Sequence, residues 1–131
     1  MVAKKTEKKK KRVKVQVGER GRLYIISTFN NTLVTMANSE GEVVVWSSTG
    51  KVGFKGTKKS TPYAATLAVD QVVKQAQELG MKEVDVFIKG PGPGREAALR
   101  VLRASGIKLN SLSDVTPIPH DGVRPPKPRR V

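Results

Sequence analysis

Two loop segments contain the residues best suited to binding a ligand. The first runs from Gly50 to Pro62 and combines three glycines with four lysines, directly before a predicted helix. Glycines let the backbone approach a ligand, and lysines beside a helix N-terminus attract anions. It is not a Walker A loop, because no glycine has a Gly-Lys-Ser/Thr sequence starting five residues later. The segment therefore predicts a phosphate contact, with a flexible surface loop as the alternative.

The second segment, Gly90 to Gly94, lies between a predicted strand and a predicted helix. A dinucleotide fingerprint would need a third glycine where the chain has Arg95, and two prolines remove N–H donors from the loop. We therefore expect a rigid helix start that presents Arg95 to a phosphate. Arg100 and Arg103 follow one turn apart. For these two, a solvated helix face with Glu96 paired to Arg100 is the alternative.

The charge of the chain is concentrated at its ends. Of 131 residues, 25 are Lys or Arg and 11 are Asp or Glu, which gives a net charge of +14. Most of this excess lies in residues 1–21 and 117–131, which we expect to be disordered basic tails around a core at 22–116. A lysine run alone could be a solubilising tail, but two basic tails around a nearly balanced core favour nucleic acid as the partner.

Catalytic chemistry finds little support in the composition. The chain has no cysteine and a single histidine, His120, which excludes disulfides, thiol nucleophiles and multi-histidine metal sites. The carboxylates are scattered rather than grouped as a metal-dependent nuclease requires. No segment has the length of a membrane span or the apolar core of a secretory signal. We expect a soluble intracellular protein with no enzymatic activity and no cofactor.

Hydrophobic periodicity and turn residues predict an α/β fold. Three strands joined by short turns form an antiparallel meander, and a helix-strand-helix-strand series then completes a mixed sheet packed with helices. Thr61 is a good N-cap and Pro62 a good first helical residue. The predicted strands are 22–28, 32–37, 42–47, 84–89 and 107–115, and the predicted helices are 62–79 and 94–105.

Four motifs, in this order, closely resemble the universal small-subunit ribosomal protein eleven family. They are Phe29-Asn30-Asn31-Thr32, the lysine-rich segment 53–62, the glycine–proline segment 89–96, and Asp114-Val115-Thr116-Pro117-Ile118-Pro119-His120. The resemblance runs from Val13 to Val131. Gly122 and Arg124-Pro125-Pro126 resemble the bacterial and organellar branch of the family.

The resemblance implies a ribonuclease H-like topology without catalytic acids. It also implies a structural constituent of the 30S subunit, in the cytoplasm, that binds and bridges 16S rRNA helices on the platform and helps form the mRNA (Shine-Dalgarno) cleft. The implied neighbours are ribosomal proteins six, seven, eighteen and twenty-one, together with mRNA and initiation factor three, with no membrane and no second copy of the chain. A nonspecific nucleic-acid-compacting protein and a structure-specific nuclease are the alternatives.

The residues expected to contact rRNA are cations, amides and one imidazole, chosen from the charge pattern and from the resemblance. They are Lys8, Lys9, Lys10, Lys11, Arg12, Asn30, Asn31, Lys51, Lys55, Lys58, Lys59, Arg95, Arg100, Arg103, His120, Arg124, Lys127, Arg129 and Arg130.

Three positions of the C-terminal tail depart from the family pattern. Asp121 replaces the usual Asn and precedes a glycine, so isoaspartate formation is a hypothesis at this position. Val123 replaces the usual Cys, which excludes a thiol-dependent role there. Pro128 replaces the usual Lys, which removes one positive charge from the tail.

Overall fold

The computed structural model describes residues 17–128, so the predicted contacts in 8–12 and at Arg129 and Arg130 lie outside the described residues. Within that range the predicted strands and helices are confirmed, with ends that differ by at most two residues. The elements are β1 (Arg20–Ser27), β2 (Thr32–Asn38), β3 (Val43–Ser48), a short 3₁₀ helix (Gly56–Ser60), α1 (Pro62–Glu78), β4 (Glu83–Lys89), α2 (Gly94–Ala104) and β5 (Lys108–Asp114).

The strands form one mixed sheet in the order β3-β2-β1-β4-β5. β1 pairs antiparallel with β2, and β2 pairs antiparallel with β3, which confirms the predicted meander. β1 and β4 are parallel, as are β4 and β5. Parallel neighbours need a crossover connection, and α1 and α2 provide these connections.

The two helices pack on the same face of the sheet. Alternate strand residues point toward them, and Leu23, Ile25, Val34 and Val86 are fully buried. α1 contributes a face of small and β-branched side chains, and α2 contributes Leu102. On the other face of the sheet the aromatic rings of Tyr24 and Phe87 are stacked.

The direction of the strands brings four connecting segments to one end of the sheet. β1, β3, β4 and β5 all run toward this end, and both helices begin there. We call it the loop end; its four segments are the turn 28–31, the loop 49–61, the loop 90–93 and the segment 115–128.

Candidate nucleic-acid interface

The four segments of the loop end form a row in the order of the strands that they follow. Five strands spaced by about 4.8 Å make this edge about 19 Å wide. Backbone and side-chain hydrogen bonds join these segments to one another or to the strand ends that carry the neighbouring segment. Thr49 N donates to Thr32 O at 3.2 Å, Gly92 N donates to Ser27 O at 2.9 Å, and Gly90 N donates to Thr116 Oγ1 at 3.0 Å. The row is therefore held together as one surface.

The turn 28–31 is stabilised by its own polar groups. Thr28 N donates to Asn31 O at 2.8 Å, and Thr28 Oγ1 accepts a hydrogen bond from Asn31 N at 3.1 Å. Asn31 Oδ1 accepts from Thr32 N at 2.8 Å and from the hydroxyl of Thr49. Asn31 thus fastens the turn to the loop 49–61, whereas Asn30 is exposed at the tip. Asn30 and Asn31 are both predicted to contact RNA, but their structural surroundings differ.

Alanine substitutions at Asn30 and Asn31 are expected to have different effects on the free energy of unfolding. Asn31→Ala removes the acceptor of the buried Thr32 N–H, so we expect it to lower the free energy of unfolding by about 1–2 kcal/mol. Asn30→Ala changes an exposed side chain and should stay within about 0.5 kcal/mol of the parent. Urea unfolding of both variants measures the difference; equal losses in the two variants would contradict this assignment.

The loop 49–61 presents lysines in two directions. Lys51 Nζ donates to the carbonyl oxygen of Trp46 at 3.0 Å and lies 4.4 Å from the centroid of the Trp46 ring. This contact holds Lys51 against the face of the sheet that the helices leave open. Lys55 and Lys58 are exposed, and Lys59 is half-buried. Of the four lysines in this loop, the last three therefore contribute positive charge at the loop end.

The helix that follows this loop begins as the sequence predicts. Thr61 is the N-cap of α1, and its side chain accepts a hydrogen bond from Ala64 N at 3.3 Å. Pro62 is the first helical residue, where its missing N–H carries no cost. Gly53 and Gly56 have φ of 107° and 59°, values that a side chain would strain.

The glycines of the loop 90–93 and of the start of α2 provide close packing rather than a ligand cradle. A Cβ atom added at Gly92 would lie 2.2 Å from Thr28 O, and one added at Gly94 would lie 2.4 Å from Thr32 Oγ1. Gly94 N donates to the buried Ser27 Oγ at 3.2 Å, which caps α2 in place of a side chain from Pro93. The first N–H of α2 is therefore bonded within the protein.

Arg95 is bonded within the loop end, a role that the sequence does not predict. Its Nη1 donates to Gly90 O at 3.0 Å and its Nη2 to Asp114 Oδ2 at 2.9 Å. The side chain is 33% exposed. Arg95 thereby ties the loop 90–93 to the end of β5 and fixes where the segment 115–128 begins.

Asp114 is expected to make this connection sensitive to acid. The Thr116 hydroxyl, the Thr116 backbone N–H and the Arg95 guanidinium lower the pKa of Asp114 from 3.8 to about 2. Because the pKa of Asp114 is lower in the folded state, its carboxylate stabilises the fold at any pH above the pKa of the unfolded state. This stabilisation is lost as the pH falls through the pKa of the folded state. Between pH 4 and 2, the free energy of unfolding should therefore decrease less in Asp114→Asn than in the parent. Urea unfolding at each pH tests this expectation, and parallel curves for the two proteins would contradict it.

The remaining predicted contacts fall into two groups. His120, Arg124 and Lys127 lie in the exposed segment 115–128, with His120 Nε2 3.8 Å from Asp121 Oδ2. Arg100 and Arg103 lie further along α2, away from the row, and Arg100 is 3.9 Å from Glu96. The structure thus places the loop lysines and the start of the segment 115–128 at the same end of the sheet, after its two edge strands, and leaves these two arginines on a separate helix face.

Asp121, the residue of the isoaspartate hypothesis, lies exposed in the segment 115–128. Its φ is 54°, in the left-handed region, and its side chain is 96% exposed. Isoaspartate formation at this residue stays a prediction.

Acidic residues are concentrated at the opposite end of the sheet. Glu19, Glu40, Glu42, Glu78 and Glu83 lie there, at the start of β1, in the β2–β3 turn, at the end of α1 and at the start of β4. Cations at that end contact carboxylates: Lys82 is 3.8 Å from Glu19, and Lys108 is 3.7 Å from Glu83.

The lysines of the loop end have no such acidic partners. Within residues 17–128, no carboxylate lies at ion-pair distance from Lys55, Lys58 or Lys59. Of the acids in or beside the row, Glu96 and Asp114 are paired with Arg100 and Arg95, and Asp121 lies beside His120 in the segment 115–128. The loop end is therefore the positive pole of the described structure.

Two exposed residues, one in the row and one directly beside it, are absent from the predicted contacts. Phe29 is 72% exposed at the tip of the turn 28–31, and Lys89 is exposed at the end of β4. Both belong to segments that the sequence singles out. Lys89 could have been found from the rule that parallel strands present their carboxyl ends at one edge of the sheet.

Other kinds of site find no support in the described chain. Across residues 17–128, no three His, Asp or Glu side chains are grouped so that they could hold a metal ion. None of the helices described there combines the length and the apolar character needed to cross a membrane.

Comparison with known protein families shows to which family the chain belongs. A family model described as Ribosomal protein S11 matches residues 21–130, a range that includes the loop end and both helices. Proteins of this family are RNA-binding structural components of the small ribosomal subunit in the cytoplasm; they act in translation and are not enzymes. The chain belongs to the ribosomal protein S11 family.

Proposed function

We propose that the loop end is the surface through which this chain binds 16S rRNA in the 30S subunit. The observation that carries the proposal is the separation of charge. Lys55, Lys58 and Lys59 lie at the loop end without a carboxylate partner among the described residues, while five glutamates are concentrated at the opposite end and Glu96 and Asp114 are paired with arginines. A polyanion is attracted to the first surface and repelled by the second.

The proposed mechanism combines electrostatics with shape. Lysines that neutralise phosphates release counterions, which favours binding in a salt-dependent manner. The hydrogen bonds between neighbouring segments hold the row in one arrangement, so it can select RNA helices by their backbone geometry. The basic residues Lys8, Lys9, Lys10, Lys11, Arg12, Arg129 and Arg130 add further phosphate contacts in this proposal.

The family resemblance supports a more detailed proposal. In it, the chain is of the bacterial type, has a ribonuclease H-like topology and bridges several rRNA helices on the platform. A single copy contacts ribosomal proteins six, seven, eighteen and twenty-one. It also helps form the cleft for the Shine-Dalgarno region of mRNA, near initiation factor three.

Chemical footprinting of the purified chain on small-subunit rRNA tests the proposal. Excess duplex DNA and increasing salt are included to suppress nonspecific contacts. We expect a few discrete protected sites that survive the competitor. Diffuse protection that the competitor removes would instead indicate a nonspecific nucleic-acid-compacting protein.

A further inference from the structure

Phe29 is a large apolar side chain in a place where the fold does not need it. It lies at the tip of the turn 28–31 and is 72% exposed. Within residues 17–128 its ring has no stacked or edge-on aromatic partner, unlike Tyr63, which meets Phe54 edge-on at 6.0 Å. Its faces are therefore open to a planar ligand.

The backbone that carries Phe29 is held rigidly. Thr28 Oγ1 accepts hydrogen bonds from Asn30 N at 3.3 Å and from Asn31 N at 3.1 Å, and Thr28 Oγ1 also donates to Asn31 O at 3.1 Å. On one side the hydroxyl of Thr49 donates to Asn31 of the turn, and on the other side Gly92 N donates to the carbonyl oxygen of Ser27, the residue that precedes the turn. A ring presented from such a turn loses little backbone freedom when it binds a ligand.

The neighbours of Phe29 favour a nucleic acid as that ligand. Lys55, Lys58 and Lys59 belong to the loop on one side of the turn, and the exposed Lys89 directly precedes the loop on its other side. A phosphate backbone that crosses the row between these cations would pass over the aromatic ring. Unpaired bases stack on such rings, and this is how proteins contact single-stranded loops and bulges in RNA.

We infer that Phe29 stacks on an unpaired base of the rRNA and that the cations on both sides fix the flanking phosphates. This inference rests on the proposed function and adds to it the kind of RNA element that the loop end recognises. An uninterrupted double helix offers no base face to the ring, so the site at the turn is a bulge, a loop or a helix junction.

Substitutions at Phe29 test the inference by the salt dependence of binding. Phe29→Ala should lower the affinity for transcribed small-subunit rRNA by roughly 5- to 150-fold, the range expected for one stacked base. The slope of log K against log salt should not change, because no cation is lost. Phe29→Trp should retain the affinity and Phe29→Leu should not, since only an aromatic ring can stack. Lys55→Gln is the control and should reduce the slope by about 0.7–0.9.

A second measurement observes the ring directly. In a Trp46→Phe background, Phe29→Trp provides a single tryptophan at the tip of the turn. We expect the rRNA to quench its fluorescence and duplex DNA to leave it unchanged.

The outcomes distinguish this inference from the proposed function. Discrete footprints by the parent chain, together with undiminished binding by Phe29→Ala or an unquenched tryptophan, would overturn stacking alone. Diffuse protection by the parent chain would overturn both proposals. Because Phe29 is largely exposed, the urea midpoint of Phe29→Ala should match that of the parent, which excludes misfolding as the cause of lost affinity.

Discussion

Replacing Lys55, Lys58 and Lys59 together by glutamine is expected to reduce rRNA affinity by roughly 100- to 500-fold at 0.1 M salt. Each lysine that neutralises a phosphate contributes about 0.7–0.9 to the slope of log K against log salt, so the slope should decrease by about 2–3. These three side chains lie in the row and have no carboxylate at ion-pair distance within the described residues. Filter binding over a salt series measures both quantities.

A matched variant controls for the loss of net charge. Lys74, Lys82 and Lys108 are also exposed lysines, but each contacts a carboxylate and none lies at the loop end. Changing these three residues to glutamine removes the same charge and should leave the slope unchanged. Equal reductions in the two triple variants would show that net charge, rather than the loop end, determines the affinity.

Gly92→Ala is expected to lower the free energy of unfolding by about 3 kcal/mol or more, at the upper limit of overpacking effects. The added Cβ atom would lie 2.2 Å from Thr28 O and 2.4 Å from Ser27 Oγ, so the loop and the turn would have to separate. Relief by a side-chain rotation is not available for Thr28, because the atom in contact belongs to its backbone. Urea denaturation measures the change.

Gly18→Ala is the control for this substitution. A Cβ atom at Gly18 meets nothing within 4 Å, and the residue precedes β1 on the surface. It should therefore stay within about 0.5 kcal/mol of the parent. A folded Gly92→Ala protein with parental stability would contradict the close packing of the loop 90–93 on the turn 28–31.

The sequence predicts the local elements well because each element carries its own signals. The cap at Thr61 and Pro62 and the alternation of buried residues in β1 are read directly from neighbouring residue types. The order of the strands depends on contacts between distant segments. The packing of Gly94 against Ser27, 67 residues earlier, has no local signature. The sequence therefore indicates a rigid loop at 90–94 but cannot show that the glycines pack against β1.

The candidate site shows the same division between local and long-range information. The lysines of the loop 49–61 can be identified from the sequence, because a cluster of charged residues is visible without knowledge of long-range contacts. The pairing of Arg95 with Asp114 and the contact of Lys51 with Trp46 depend on how the chain folds. These contacts decide which cations remain available at the loop end, and only the three-dimensional structure shows them.

Directed cleavage of rRNA from single positions on the chain tests most directly whether the loop end faces the RNA. The chain contains no cysteine, so Lys58→Cys and Glu40→Cys each provide one attachment point for an iron chelate that generates hydroxyl radicals. If the loop end binds rRNA, radicals from position 58 should cut the 16S rRNA at a few defined sites, and radicals from position 40 should cut weakly or not at all. Strong defined cuts from position 40 with none from position 58 would contradict the proposed orientation.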